Sequence, residues 1–323
     1  MRRRLKDFPP TSAEGTPKDP QEYYSIRLGM YAQAQGKNRY TGGIVPYDHN
    51  LVLPPPSITG GSEYVNASWV RELHGGKWWI AAQAPVPSTV HPFLSLCCAP
   101  VASPSLGAGQ PKRRRVQAIV VLTRDVELRI RKADPYIPPS VGESVVHPPP
   151  ESNPQGQPIK VTLLSRENLP GQVVLSKLEV NGLPVEHWCY EGWPDHGVPL
   201  TGGPLLGMIE EVDDSLSSEG TAQDGEELEG KLAIVHCSAG IGRTGTWIAL
   251  CSLLRTYSLL RPVPAPTPNG PFGPSPLGTF PPLVVPPSEP AQDLVAWEVD
   301  SLRDQRTGMV QRDEQVLWVY QTL

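Results

Sequence analysis

The chain has no long apolar run, no cysteine framework and no excess of positive charge, and each absence removes a class of function. No stretch approaches the roughly 20 apolar residues that a membrane span requires. The opening residues, MRRRLKDFPP, start basic but lead into no apolar segment, so no signal peptide is expected. The five cysteines, Cys97, Cys98, Cys189, Cys237 and Cys251, are odd in number and include no CxxC pair. That argues against a disulfide framework and a zinc site, and it fits free thiols in a reducing compartment. A formal net charge of -5 offers no global attraction to nucleic acid or to an anionic membrane. The expectation is a soluble cytoplasmic protein with no nucleic-acid partner and no membrane span. Any affinity for an anionic substrate must then be local.

Proline and glycine are abundant instead, at 39 and 30 residues, and they are unevenly placed. Residues 99–115, 138–158, 213–230 and 262–290 read as loop inserts. Their composition neither sustains a regular hydrogen-bonding pattern nor supplies apolar mass. Such segments suit flexible linkers or polyproline helices, and the latter are a surface that adaptor domains read. The run PKRRR at 111–115 fits a solvated basic loop, with a nuclear address or an anionic-partner patch as other readings. Motifs that need each other lie on both sides of every insert. The expected organisation is a flexible segment over 1–20 and one catalytic domain over 21–323, with the inserts grafted onto it.

Between the inserts, VQAIVVL and LAIVHC are continuous apolar runs rich in β-branched residues. They read as strands covered on both faces. GQVVLSKLEVN and LPVEHWCY read as further strands. PQEYYSIRLGMYAQ, TGTWIALCSLLRTYSLL, EPAQDLVAWEVDSLRDQR and RDEQVLWVYQTL read as helices. The expected fold is α/β: a central mixed, highly twisted sheet flanked by helices.

The segment IVHCSAGIGRTGTWIAL carries the chemistry. A buried strand ends at His236, a small-residue loop runs over Ser238, Ala239, Gly240, Ile241 and Gly242, and Arg243 and Thr244 open a helix. Successive N–H groups in such a loop can converge on one anion. The helix N-terminus adds unpaired N–H groups and partial positive charge. The same field favours a thiolate at Cys237. Arg243 offers two parallel donors to two phosphate oxygens, a fork that lysine lacks. A cysteine and an arginine thus take over charge stabilisation, and no metal or cofactor is expected.

The full string HCSAGIGRTG closely resembles the active-site signature of the protein tyrosine phosphatase family, and the resemblance runs from about Lys37 to Leu323. It implies a cysteinyl-phosphate mechanism acting on phosphotyrosine in proteins, with Cys237 as nucleophile and Arg243 as phosphate clamp. EGWPDHGVP matches the family's acid loop, with Trp193 in support and Asp195 as the general acid that protonates the leaving phenolate. MVQRDEQ resembles the glutamine loop, in which Gln311 and Gln315 position water and substrate; Arg303 and Arg306 just before it are structural supports. Glu127 and Lys132 match a glutamate that pairs with the phosphate-loop arginine and a lysine that approaches the acid. KNRYTGGIVPYDH resembles the loop whose tyrosine, here Tyr40, lines a slot deep enough to favour phosphotyrosine over phosphoserine.

Some positions depart from the pattern. Gly42 stands where many members carry an aspartate that holds the substrate peptide. Ala84, Leu94 and Ala133 replace the usual Gly, Trp and Cys. None of these removes a catalytic group. The competing readings are a pseudophosphatase that binds phosphotyrosine without turnover, a dual-specificity phosphatase and a phosphoinositide phosphatase. The last prefers basic residues between Cys and Arg, and this loop has none.

Overall fold

The two continuous apolar runs lie side by side as parallel strands in the middle of a mixed, twisted sheet. The computed structural model describes residues 20–104, 112–194, 197–217, 230–263 and 293–323. Among these, the elements in chain order are α1 (Pro20–Tyr23), α2 (Arg27–Ala34), α3 (Pro56–Thr59), β1 (Ala67–Arg71), β2 (Trp78–Ala82), α4 (Val90–Cys98), β3 (Val101–Ser103), β4 (Lys112–Val121), β5 (Val126–Glu127), β6 (Ile130–Arg131), β7 (Ser144–His147), β8 (Ile159–Leu169), β9 (Val173–Val180), β10 (Leu183–Tyr190), α5 (Gly203–Ser217), β11 (Lys231–His236), α6 (Gly242–Thr256), α7 (Leu294–Gln305) and α8 (Asp313–Thr322). The main sheet has the order β1-β2-β11-β4-β10-β9-β8-β7, with β3 paired to β4 at one end. β11 runs parallel to both β2 and β4, and β4 runs parallel to β10. No described helix is long and apolar enough to cross a membrane.

Strand alternation divides the core in two. Ala233 and Val235 of β11 face α5, α6, α7 and α8, in a layer that includes Trp79, Trp188, Trp193 and Trp247. Leu232 and Ile234 face the other way, toward α4 with Phe93, Leu94 and Leu96. A strand covered on both faces must be apolar at every position, which is why the period of two is invisible in LAIVHC. Cys237 follows directly on β11 and packs on the α6 side.

Three of the expected inserts are partly regular structure. Ser144–His147, inside the stretch 138–158, is strand β7 and pairs with β8. The residues after it are fastened to the body: Asn153 Nδ2 donates to Glu63 at 2.6 Å and Gln157 N to Ile58 O at 2.8 Å. Side-chain partners supplied by Glu63 replace the regular pattern that the prolines forbid. Residues 112–115 of the basic run are strand rather than loop, because β3 on one side and β11 on the other supply partners for their backbone. Asp213 lies on α5, buried, and pairs with Arg255 at 2.8 Å and Lys77 at 2.5 Å. The expected N-terminal helix is two helices, with Tyr24 to Ile26 between them. The expectations for residues 1–19, 105–111, 218–229 and 264–290 lie outside the described residues.

Candidate active site

The loop between β11 and α6 turns its carbonyls outward. Ser238 O accepts from Ala84 N at 3.0 Å, and Ile241 O accepts from Gly245 N at 2.9 Å and Val310 N at 3.2 Å. Gly240 O and Ala239 O accept from Arg306, at 2.8 and 3.2 Å. Arg306 is wholly buried, and its other bonds go to Ser68 Oγ and Asn66 Oδ1 at 3.0 and 2.7 Å. Burial lowers it to about 10, so it stays charged at neutral pH. With the carbonyls held back, the loop's N–H groups are left to face the centre, which is the arrangement an anion needs. Gly240 allows the turn: its φ is +72°, and a side chain there would collide with the carbonyl of Ala82.

Cys237 Sγ sits at the floor, 5% exposed, and accepts from Gly240 N at 3.3 Å. Burial opposes ionisation of the thiol. The Thr244 hydroxyl, the Arg243 charge and the N–H groups of Thr244 and Gly240 outweigh it, and the thiol is held below its ordinary value. The Thr244 hydroxyl is buried without a conventional partner among the described residues, which leaves it to the thiolate. Burial drives the other cysteines the opposite way: Cys98 and Cys189 to about 12, Cys97 and Cys251 well up. We expect iodoacetamide at pH 6.5 to alkylate Cys237 alone, at a rate that falls with acid only below the range of ordinary thiols. Peptide mapping after partial labelling checks this; equal labelling of Cys98 and Cys237 would contradict the pKa order.

Arg243 opens α6 and is buried. Its Nη1 donates to Glu127 Oε1 at 2.6 Å and to Leu122 O at 2.9 Å. Its Nη2 donates to Glu127 Oε2 at 2.8 Å and to Pro194 O at 3.0 Å. Glu127 lies on the short β5–β6 hairpin and is itself held by Thr123 Oγ1 and Arg124 N, at 2.9 and 3.1 Å. A bidentate pair with both carboxylate oxygens fixes the plane of the guanidinium. Lys132, at the foot of the same hairpin, accepts from Ser238 Oγ at its carbonyl, at 2.6 Å. Ser238 has one hydroxyl hydrogen and spends it there. The 2.7 Å contact with Tyr40 therefore has the Tyr40 hydroxyl donating to Ser238 Oγ. Tyr40 thus stands as a wall rising from the loop.

His236 is buried, and burial lowers it to about 4, so it is neutral. Its Nδ1 lies 3.0 Å from Cys237 O, an acceptor, and so carries the proton. Its Nε2 must then accept from the Tyr136 hydroxyl at 2.8 Å, and that hydroxyl accepts from His187 Nε2 at 3.1 Å. This chain fixes the peptide that carries the nucleophile. Trp193 is buried, donates from Nε1 to Gly197 O at 3.1 Å and packs on Trp318. Asp195 lies outside the described residues. Gln315 is buried and Gln311 exposed; both come within contact distance of a side chain built on Gly242, beside the first turn of α6. Arg303 donates to Met309 O and Val310 O, each at 2.9 Å, and so holds the approach to Gln311.

The structure thus brings Cys237, the loop residues, Arg243, Thr244, Glu127, Lys132, Tyr40, Gln311 and Gln315 to one place. Ala84, Leu94 and Ala133 are buried packing positions, and open space surrounds Gly42. Sequence reasoning missed Asn66, Ser68, Tyr136 and His187. Each is distant in sequence from the group it serves, and only a buried polar residue beside an apolar run signalled any of them.

The family model described as protein-tyrosine phosphatase matches residues 34–261. The chain is 32% identical over 249 residues to receptor-type tyrosine-protein phosphatase H of Homo sapiens, covering 72% of this chain and 19% of that protein. It is 30% identical over 234 residues to receptor-type tyrosine-protein phosphatase eta of Gallus gallus, covering 71% and 14% respectively. The chain therefore spans a fifth or less of the length of these curated relatives. A solved structure of PTPN18 in complex with HER2-pY1248 phosphopeptides superposes with a TM-score of 0.65 at 24% identity, covering 92% of this chain and 90% of that one; it shares the fold.

Proposed function

The chain belongs to the protein-tyrosine phosphatase family, and from that premise we propose that it hydrolyses phosphotyrosine in proteins through a cysteinyl-phosphate intermediate. The observation that carries the reading is the pairing of a thiol held low with a guanidinium fixed by two carboxylate bonds, at the two ends of one anion-binding loop.

In this mechanism the phosphate dianion enters the ring of loop N–H groups, and Arg243 bonds two of its oxygens through its Nε–H and the Nη2 hydrogen that also reaches Pro194 O, while Glu127 keeps the other edge of the guanidinium. Cys237 Sγ attacks phosphorus, an S–P bond forms and the P–O bond to the tyrosine breaks. Asp195 gives its proton to the departing phenolate oxygen. Water, positioned by Gln311 and Gln315, then attacks phosphorus, returns a proton to Asp195 and releases inorganic phosphate and the thiolate. Tyr40 lines the slot that the aryl ring must enter. The substrates are phosphotyrosine-containing proteins. The need for a reduced thiol places the reaction in a reducing compartment such as the cytosol.

Turnover of a phosphotyrosyl peptide tests the reading against a pseudophosphatase, which binds the peptide and releases no phosphate. The acid role has its own test. Asp195→Asn is expected to slow a phosphotyrosyl peptide by about 10²-fold and to flatten the basic limb of the pH profile. A substrate whose leaving group is already acidic needs less protonation and is slowed less. Equal slowing of both substrates, with the basic limb unchanged, would leave Asp195 a structural residue.

A further inference from the structure

The β5–β6 hairpin carries Glu127 to the arginine, and the same hairpin exposes apolar side chains that nothing in that task requires. Glu127 pairs with Ile130 across the two strands. Residues directly opposite in an antiparallel pair put their side chains on the same face, about 5 Å apart at Cβ. Ile130 therefore stands on the face that delivers Glu127 to Arg243, yet it is 58% exposed, whereas Glu127 is 8% exposed. Leu128, at the tip, is 72% exposed.

The turn itself is locally unfavourable. Leu128 and Arg129 both have positive φ, 47° and 65°. Two-residue hairpins of this kind normally carry Asn-Gly, because other residues are strained there. The chain uses that usual pair, Asn181-Gly182, at the β9–β10 turn. At the hairpin beside the phosphate clamp it places a large apolar residue in the strained position instead.

We infer that this hairpin is a specificity element: Ile130, with Leu128 at the tip, forms an apolar wall that receives an apolar side chain flanking the phosphotyrosine of a peptide substrate. The inference rests on the tyrosine phosphatase reading above. The occupant follows from continuity with the site. A phosphate held by Arg243 brings the flanking residues of its peptide alongside the hairpin that holds Arg243. Asp134, which lies 3.9 Å from the hairpin's Arg131, is taken by Arg39 at 2.8 Å, so the wall is not answering a basic peptide residue through it.

The experiment scans each position flanking phosphotyrosine in a synthetic peptide, with Leu against Asn, and reads the ratio of kcat/KM within each variant. A general loss of activity cancels in that ratio. The wild type is expected to prefer Leu by about tenfold at one position or more. Ile130→Ser should bring that ratio below about threefold, and Ile130→Val should restore most of it. An unchanged ratio in Ile130→Ser at every position overturns the inference. So does a shift from dimer to monomer in sedimentation without a change in the ratio, which would make the patch a surface for a second copy. Failure of the wild type to release phosphate from a small aryl phosphate would sink the catalytic reading alone. In that case, binding of the same Leu and Asn peptides to Cys237→Ser and to Cys237→Ser/Ile130→Ser decides the wall by affinity, with the same ratios expected.

Discussion

Replacing Cys237 with serine is expected to lower phosphotyrosine turnover by roughly 10⁴-fold or more while phosphate binding survives. The two outcomes separate because different groups serve them. The anion cradle is built from backbone N–H groups in a loop whose carbonyls are held by Ala84, Arg306 and Val310, and that frame does not depend on Sγ, which accepts from Gly240 N. Serine, nearly isosteric with cysteine, leaves that frame in place. What is lost is the ionised nucleophile. The Thr244 hydroxyl, the Arg243 charge and the N–H groups of Thr244 and Gly240 hold a thiol below its ordinary value against the cost of burial, but a serine hydroxyl starts far too high to be ionised by the same field. The checks are kcat on a phosphotyrosyl peptide and calorimetric binding of orthophosphate, with a melting curve to show that the variant folds. Activity within tenfold of the wild type would falsify thiolate attack. Loss of both activity and orthophosphate binding, with the fold intact, would mean that Sγ helps to build the cradle.

What was legible in the sequence follows from how far apart the interacting groups lie. The loop from Cys237 to Thr244 is local: strand end, turn and helix start are consecutive, so the residue types and their spacing reveal the chemistry. The apolar runs that became β4 and β11 were legible for the same reason. The brace was not. Arg306 binds the carbonyl of Gly240, 66 residues away, and no periodicity in SLRDQR points to that oxygen. The His236–Tyr136–His187 chain joins three separate segments of the structure. The basic run at 112–115 failed differently. Its composition suggests a solvated loop, but strand formation there is decided by neighbours, since Arg114 pairs with Val101 and Arg115 with Lys231. Likewise the proline-rich stretch around β7 is ordered by Glu63 and Ile58, which no reading of that stretch alone could supply.

Arg243→Lys should be nearly as damaging as loss of the nucleophile, with kcat down by roughly 10³–10⁵-fold. Lysine keeps the positive charge, so simple attraction of the phosphate is retained. It loses the planar fork. Arg243 uses both Nη atoms on Glu127 and also reaches Leu122 O and Pro194 O. A single ammonium has three hydrogens on one atom and cannot span two carboxylate oxygens and two phosphate oxygens at once. The link to Pro194 O also goes, and with it a tie between the clamp and the segment that leads into Asp195. Arg243→Ala is the poorer experiment, because it leaves Glu127 buried without its charge partner, and such a break costs about 3–5 kcal/mol of stability. Lysine limits that loss, so the kinetic effect can be read on a folded protein. The expected pattern is a fall in kcat with a much smaller rise in KM, since the fork is worth most on the charge that spreads over the transferring phosphoryl group. Glu127→Gln is the companion variant: it preserves the shape of the pair and removes its charge, and its loss should be smaller, on the order of 10-fold to 100-fold. A rise in KM alone for Arg243→Lys, with kcat preserved, would reduce Arg243 to a substrate-binding charge and remove it from the phosphoryl-transfer step.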